Sequence, residues 1–167
     1  LPGPALPGPD DLRPLLGSLN VGRRSHTATL LPSNVVLVAG GFRQGTAVTD
    51  RAELYIGEVF TLLAARMVEG RAGHTATLLE DGRVLLAGGW REVAPGDILA
   101  TDSAEVYDPQ LGTFTEVGSL TTERVDHRAV RLPDGRVLVT GGSQLEGGFL
   151  TDLDSAETFD PVSNTFA

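Results

Sequence analysis

His26-Thr27-Ala28-Thr29-Leu30-Leu31 recurs as His74-Thr75-Ala76-Thr77-Leu78-Leu79 and, more loosely, as His127-Arg128-Ala129-Val130-Arg131-Leu132, so the histidines stand 48 and 53 residues apart. The apolar runs Val35–Ala39, Val84–Ala87 and Val137–Thr140 follow at matching offsets, and each ends in a diglycine: Gly40-Gly41, Gly88-Gly89 and Gly141-Gly142. A third match joins Thr49-Asp50-Arg51-Ala52-Glu53-Leu54-Tyr55 to Thr101-Asp102-Ser103-Ala104-Glu105-Val106-Tyr107 and to Asp154-Ser155-Ala156-Glu157-Thr158-Phe159. Phe60, Phe114 and Phe166 close the three copies. A period near 50 residues is the signature of a repeat architecture and governs every other reading of the chain.

Each copy reads as four strands. The His-Thr-Ala-Thr-Leu segment alternates with period two, as a strand with two different faces does. Asp81-Gly82 and Asp134-Gly135, with Ser33-Asn34 in the first copy, predict two-residue hairpin turns of type I′. The second strand is a continuous run of β-branched and leucine residues, the pattern of a strand buried on both faces. The third carries Ala-Glu-x-Tyr/Phe, and Asp108-Pro109 or Asp160-Pro161 turns it into a fourth such as Thr113–Val117. In the first copy Ile56-Gly57 replaces Asp-Pro and the connection is two residues shorter, which predicts a tighter hairpin there.

The combination of His-Thr-Ala-Thr, Asp-Gly-Arg-Val-Leu and Gly-Gly at fixed spacing, over roughly residues 13 to 167, resembles the kelch repeat. The resemblance implies an all-β chain, a β-propeller built from four-stranded antiparallel blades, three of them here. The expected divisions are a Pro/Gly-rich tether over 1–12, the fourth strand of a preceding or partner blade over 13–22, and blades over 23–66, 67–120 and 121–167, the last with an incomplete fourth strand. Three blades fall short of the four to eight of a closed propeller. The apolar stripes of Val36, Val38 and Leu85 would leave uncovered blade faces, so either a second copy or missing blades are expected to close the ring. Kelch proteins include scaffolds, substrate adaptors and the copper enzyme galactose oxidase, so the resemblance implies a fold before it implies an activity.

Composition narrows the partners. All 13 basic residues are arginine and stand against 22 acidic ones, a net charge of -9. That balance excludes nucleic acid as a default partner. No apolar run reaches the roughly 18 residues of a membrane helix. The exclusive use of arginine points to a GC-rich bacterial genome, and the proline-rich start with no lysine or cysteine favours an extracytoplasmic or secreted protein.

Repeated polar residues read as architecture. Equivalent histidines, His26, His74 and His127, fall one per blade and are too far apart to share a metal ion. Arg23, Arg71 and Arg124 each precede one of them by three residues, while Glu53, Glu105 and Glu157 recur on the third strands. A buried arginine–carboxylate pair of this kind can tie strands or blades together. Function is expected where the copies differ: Phe42–Val48, Trp90–Ala100 and Ser143–Leu150, emerging on the same face as Arg24, Glu69 and Asp126. Candidate ligand contacts there are Arg43, Gln44, Trp90, Arg91, Asp97 and Gln144, since exposed aromatic and arginine side chains are common binding anchors. Asp97, Asp102, Asp152 and Asp154 lack the oxygen spacing of a calcium loop and read as solvated turn acids. No cofactor motif or nucleophile elbow occurs, and a galactose-oxidase-like copper centre would need a cysteine, of which there is none. The reading is a non-catalytic module that binds a protein or glycan through its loop-bearing face. The alternative is a carbohydrate-active enzyme with its site at the channel mouth.

Overall fold

The computed structural model describes residues 17–167; the expected tether and the first residues of the expected 13–22 strand lie outside them. The described residues are all β, with no helix, and none therefore forms a helix long and apolar enough to cross a membrane. Three four-stranded antiparallel sheets follow one another along the chain. The first contains β1 (Thr27–Leu30), β2 (Val36–Ala39), β3 (Arg51–Ile56) and β4 (Val59–Arg66) in that order. Two short hairpins interrupt the later sheets: β7 (Trp90–Ala94) with β8 (Asp97–Ala100), and β13 (Ser143–Glu146) with β14 (Phe149–Asp152). The second sheet is β5 (Thr75–Leu78), β6 (Val84–Ala87), β9 (Ala104–Asp108) and β10 (Thr113–Glu116). The third is β11 (Arg128–Arg131), β12 (Val137–Thr140), β15 (Ala156–Asp160) and β16 (Thr165–Phe166).

The repeats share one register. Ala39 pairs with Thr27 and Ala52, Ala87 with Thr75 and Ala104, and Thr140 with Arg128 and Ala156. The closing aromatics stack within each sheet: Tyr55 on Phe60, Tyr107 on Phe114 and Phe159 on Phe166, with ring centroids 4.7–5.0 Å apart. Strand alternation then explains why the second strands are apolar throughout. Leu86 faces the first sheet, in a core with Leu37, Ala39 and Tyr107, while its neighbour Leu85 faces the third, in a core with Val137, Val139 and Phe159. Each such leucine, fully buried, stabilises the fold by about 1.5–3 kcal/mol. Among the described residues the outer sheets have this cover on one side only, and Leu30 of β1 is 59% exposed and Val130 of β11 57%.

Turn chemistry departs from expectation at three places. The β1–β2, β5–β6 and β11–β12 turns are three-residue loops, closed by Leu31 N–H to Val35 O, Leu79 N–H to Arg83 O and Leu132 N–H to Arg136 O. Only their last residues, Asn34, Gly82 and Gly135, have positive φ. A type I turn followed by one left-handed residue twists a hairpin as a type I′ turn does. The two-residue turn with positive φ at both central positions is instead Gly57-Glu58, joining Ile56 to Val59 in β3–β4. The corresponding loops after Asp108 and Asp160 are longer, nucleated by aspartate side chains that accept the amides of Gln110 and Val162. Residues 17–22, expected to end a strand, carry none. The amides of Asn20 and Val21 donate to the Glu53 carboxylate, which removes them from any ladder.

The diglycines hold the sheets at close approach. Gly88 has φ +61°, and an added Cβ would lie 2.6 Å from the Arg124 carbonyl oxygen and 2.9 Å from the His127 ring. Gly141 has the same φ, yet its nearest neighbour would be Leu153 O at 3.6 Å. Gly88→Ala therefore combines left-handed strain with overpacking and is expected to cost about 3 kcal/mol or more, against about 1 kcal/mol for Gly141→Ala. Denaturant midpoints of the two variants check this; equal losses would mean that the contact with the following sheet contributes nothing.

Candidate functional site

Three buried arginines set the floor of the loop-bearing end. Arg71 donates to Glu105 Oε1 at 2.9 Å, to the carbonyls of Gly88 and Ser103 at 2.9 Å each, and to Ser103 Oγ. Arg23 makes the equivalent bonds to Glu53, Gly40 O and Arg51 O, and Arg124 to Glu157, Gly141 O and Ser155 O. One guanidinium thus clamps the end of the second strand to the start of the third. The glutamate completes the node by accepting an amide from the incoming connection: Asn20 on Glu53, Val68 on Glu105 and Thr121 on Glu157. Burial opposes ionisation of Glu53, but hydrogen bonds from Asn20, Val21 and Arg23 outweigh it and hold the carboxyl below its ordinary range. Burial dominates at Glu105 and pushes its carboxyl up, with Arg71 opposing.

The histidines join neighbouring sheets. His74 Nε2 lies 3.1 Å from Thr27 Oγ1, and His127 Nε2 lies 2.9 Å from Thr75 Oγ1, so each ring reaches back to the preceding unit. His26 has no preceding unit among the described residues and is exposed. Desolvation, followed by the nearby Arg71, holds His74 well below the usual imidazole value. The same two causes, with Arg124 as the cation, lower His127 to about 4. Four equivalent residues from each unit, 25–28, 73–76 and 126–129, line a funnel beside β1, β5 and β11, with Ser25, Gly73 and Asp126 at its rim.

Above that floor stand the variable connections. The residue after each arginine pairs with the residue after each diglycine: Arg24 with Phe42, Ala72 with Trp90 and Val125 with Ser143. Trp90–Ala100 and Ser143–Leu150, read as loops, fold as the β7–β8 and β13–β14 hairpins, the second extending to Asp152. Pro95-Gly96 and Gly147-Gly148, as turn dipeptides between short runs, are the sequence signals for them. Trp90 is half-buried and packs with Ile98 against Phe42, Val48 and Ala72, which welds the first connection to the second. Glu92 strengthens the weld, accepting the amides of Val48 and Gly96. Arg24 lies over the Phe42 ring, 4.9 Å from its centroid.

The structure brings the first two connections together and lays β13 beside β8. Arg43, Gln44 and Asp97 are exposed on this surface, whereas Arg91 and Gln144 are half-buried. Between the first two connections is a cleft of about 370 Å³ lined by Asp50, Glu69, Glu92 and Pro95. Its acids are engaged by the protein itself: Asp50 with Arg66, Glu69 with Thr101, Ser103 and Arg91, and Glu92 with backbone amides. Among the described residues no three His, Asp or Glu side chains assemble as a metal site. A larger cavity, about 490 Å³, lies among the turns between the first two sheets, against Pro32, Asp81, Arg83 and Pro109. Sequence reasoning missed it. Its signal is Val35, which stands where the later copies have arginine: Arg83 reaches forward to Pro161 O in the third sheet, and Val35 has no such reach toward Pro109.

Comparison with models of known protein families and with curated proteins finds no match to the chain.

The buried imidazoles give a pH dependence with a definite sign. His127 titrates near 4 in the fold and near 6.5 unfolded, so its contribution is complete above pH 6.5 and is lost as pH falls toward 4. From pH 7 to pH 5 the loss for this one group is roughly 2 kcal/mol. Urea midpoints across that range should fall for the parent chain and fall less for His127→Gln. A flat profile in the parent would show that the ring is not held neutral.

Proposed function

We propose that the chain is a kelch-type β-propeller module, without catalytic activity, that binds a protein or glycan through the end carrying its variable connections. The observation behind this reading is the contrast between invariant and variable parts of one repeat. Three sheets of identical register fix residues 40–50, 88–103 and 141–155 at the same end, and these segments differ in length, composition and secondary structure. The invariant part is rigid: each connection starts at a carbonyl held by a buried arginine and closes on the strand that carries the paired glutamate. Rigid display lowers the ordering cost of binding, so a small number of loop side chains can supply both affinity and specificity.

The surface best suited to contact combines Arg43 and Gln44 of the first connection with Asp97 of the β7–β8 hairpin, all exposed. Arg91 and Gln144 lie at its edge, and Trp90 acts from beneath as the packed support. A glycan array and a displayed peptide library identify the ligand class. On any hit, the double variant Arg43→Glu, Asp97→Lys should weaken binding by about tenfold or more, equivalent to about 1.4 kcal/mol, with the melting temperature unchanged. Unaltered affinity in that variant would move the site off this end.

A further inference from the structure

Among the described residues there are two copies of one sheet-to-sheet interface, with one half of it unpaired at each side. In the used interfaces, the second glycine of one unit donates its N–H to the arginine carbonyl of the next: Gly41 to Arg71 O and Gly89 to Arg124 O, both 2.8 Å. The left-handed residues at the funnel rim continue the pattern, Gly73 N–H to Ser25 O at 2.9 Å and Asp126 N–H to Gly73 O at 3.0 Å. The histidine of the following unit seats against the first glycine and against a threonine of the preceding one. Apolar faces fill the remaining area.

The third sheet presents the leading half of this interface. Gly141 and Gly142 hold the same left-handed conformation as the other diglycines, but no arginine carbonyl or imidazole meets Gly141. Val130 lies uncovered on that face. The first sheet presents the complementary half: the Arg23 carbonyl, the exposed His26, and a face with Leu30 and Leu62 exposed. Apart from Arg128 in place of a threonine, the two unused halves carry the same donor, acceptor and ring positions as the used ones.

We infer that the first sheet of one copy of this chain seats on the third sheet of a second copy, head to tail. In that contact the Gly142 amide donates to the Arg23 carbonyl, the His26 ring fills the space beside Gly141, and Leu30 packs on Val130. One substitution distinguishes it from the internal interfaces. Arg128 stands where Thr27 and Thr75 meet the following histidine, so a neutral His26 ring accepts from the guanidinium. Arg128 Nη1 otherwise donates to the carbonyls of Asp126 and His127, of which the first is the acceptor that the second copy's Ser25 amide would take. The contact rests only on the internal interfaces. Its closure as a pair rests on the propeller reading above, since the described residues of two copies give six units, within the range that closes a ring.

Light scattering coupled to size exclusion, on the full chain, is the test. The parent should have twice the chain mass, while Leu30→Arg and Val130→Glu, both at exposed positions, should each be monomeric with unchanged strand content by circular dichroism. An equimolar mixture of the two variants should return to the double mass, because it pairs one intact interface with one Arg–Glu interface. A monomeric parent overturns the contact. A dimer lost in only one variant and not restored by mixing also overturns it, in favour of a symmetric face-to-face pair. Long polymers dissolved by either variant would keep the contact and overturn ring closure, and with it the propeller reading, while leaving ligand binding at the loop end to its own test.

Discussion

A buried guanidinium is the constraint on which the rest of the structure depends. Taking a charge out of water costs several kcal/mol, and it is offset only when the geometry satisfies the donors. Arg71 meets that condition by collecting one carboxylate, two carbonyls and one hydroxyl, all from segments that the chain must bring together in any case. The fold is thereby over-determined at one point in each unit. If the second strand slipped by one residue, the carbonyl of Gly88 would leave the fork and the charge would lose its compensation. Removing the partner of such a buried charge typically costs about 3–5 kcal/mol. The node therefore fixes register where hydrophobic contacts alone would tolerate repacking.

The diglycine belongs to the same logic. Its first glycine supplies the carbonyl that the arginine takes, and both glycines must let the neighbouring backbone approach where a side chain would stand. Two successive left-handed residues also turn the chain away from the sheet toward the variable connections. The result is a division of labour within one repeat: charge and close approach at the base, apolar burial along the second strand, and sequence freedom above.

The repeat, the four strands, their order and the two-sided burial of β6 were legible because they follow from recurrence and from the difference between alternating and continuous apolar runs. Leu85 and Leu86 show why: adjacent leucines in a strand must face opposite ways, so both need cover. The turn types were less legible, because Asp81-Gly82 is compatible with two loop lengths that differ only in which flanking residues pair. The β7–β8 and β13–β14 hairpins were overlooked because their strands are only four or five residues long and show no clean alternation, and the marks they leave are Pro95-Gly96 and Gly147-Gly148. The reach of His74 back to Thr27 could not be read at all. Both residues were visible as members of a repeat, but which unit each would touch depends on the stacking of sheets. Of the residues that the sequence puts forward as ligand contacts, Arg43, Gln44 and Asp97 are exposed, whereas the packing of Trp90 against Phe42, Val48 and Ala72 is a tertiary fact.

The unequal lengths of the variable connections bear on how such a chain can change over generations. Each connection is anchored at both ends by the arginine node and its ladder, so its interior closes a loop whose ends are already in place. Closure entropy grows only logarithmically, and doubling a loop costs about 0.6 kcal/mol. Residues 88–103 can therefore be longer than residues 40–50 at almost no expense to the sheets beneath them. Insertions, deletions and wholesale replacement at this end are thermodynamically cheap, and the core beneath need not be redesigned to accommodate them.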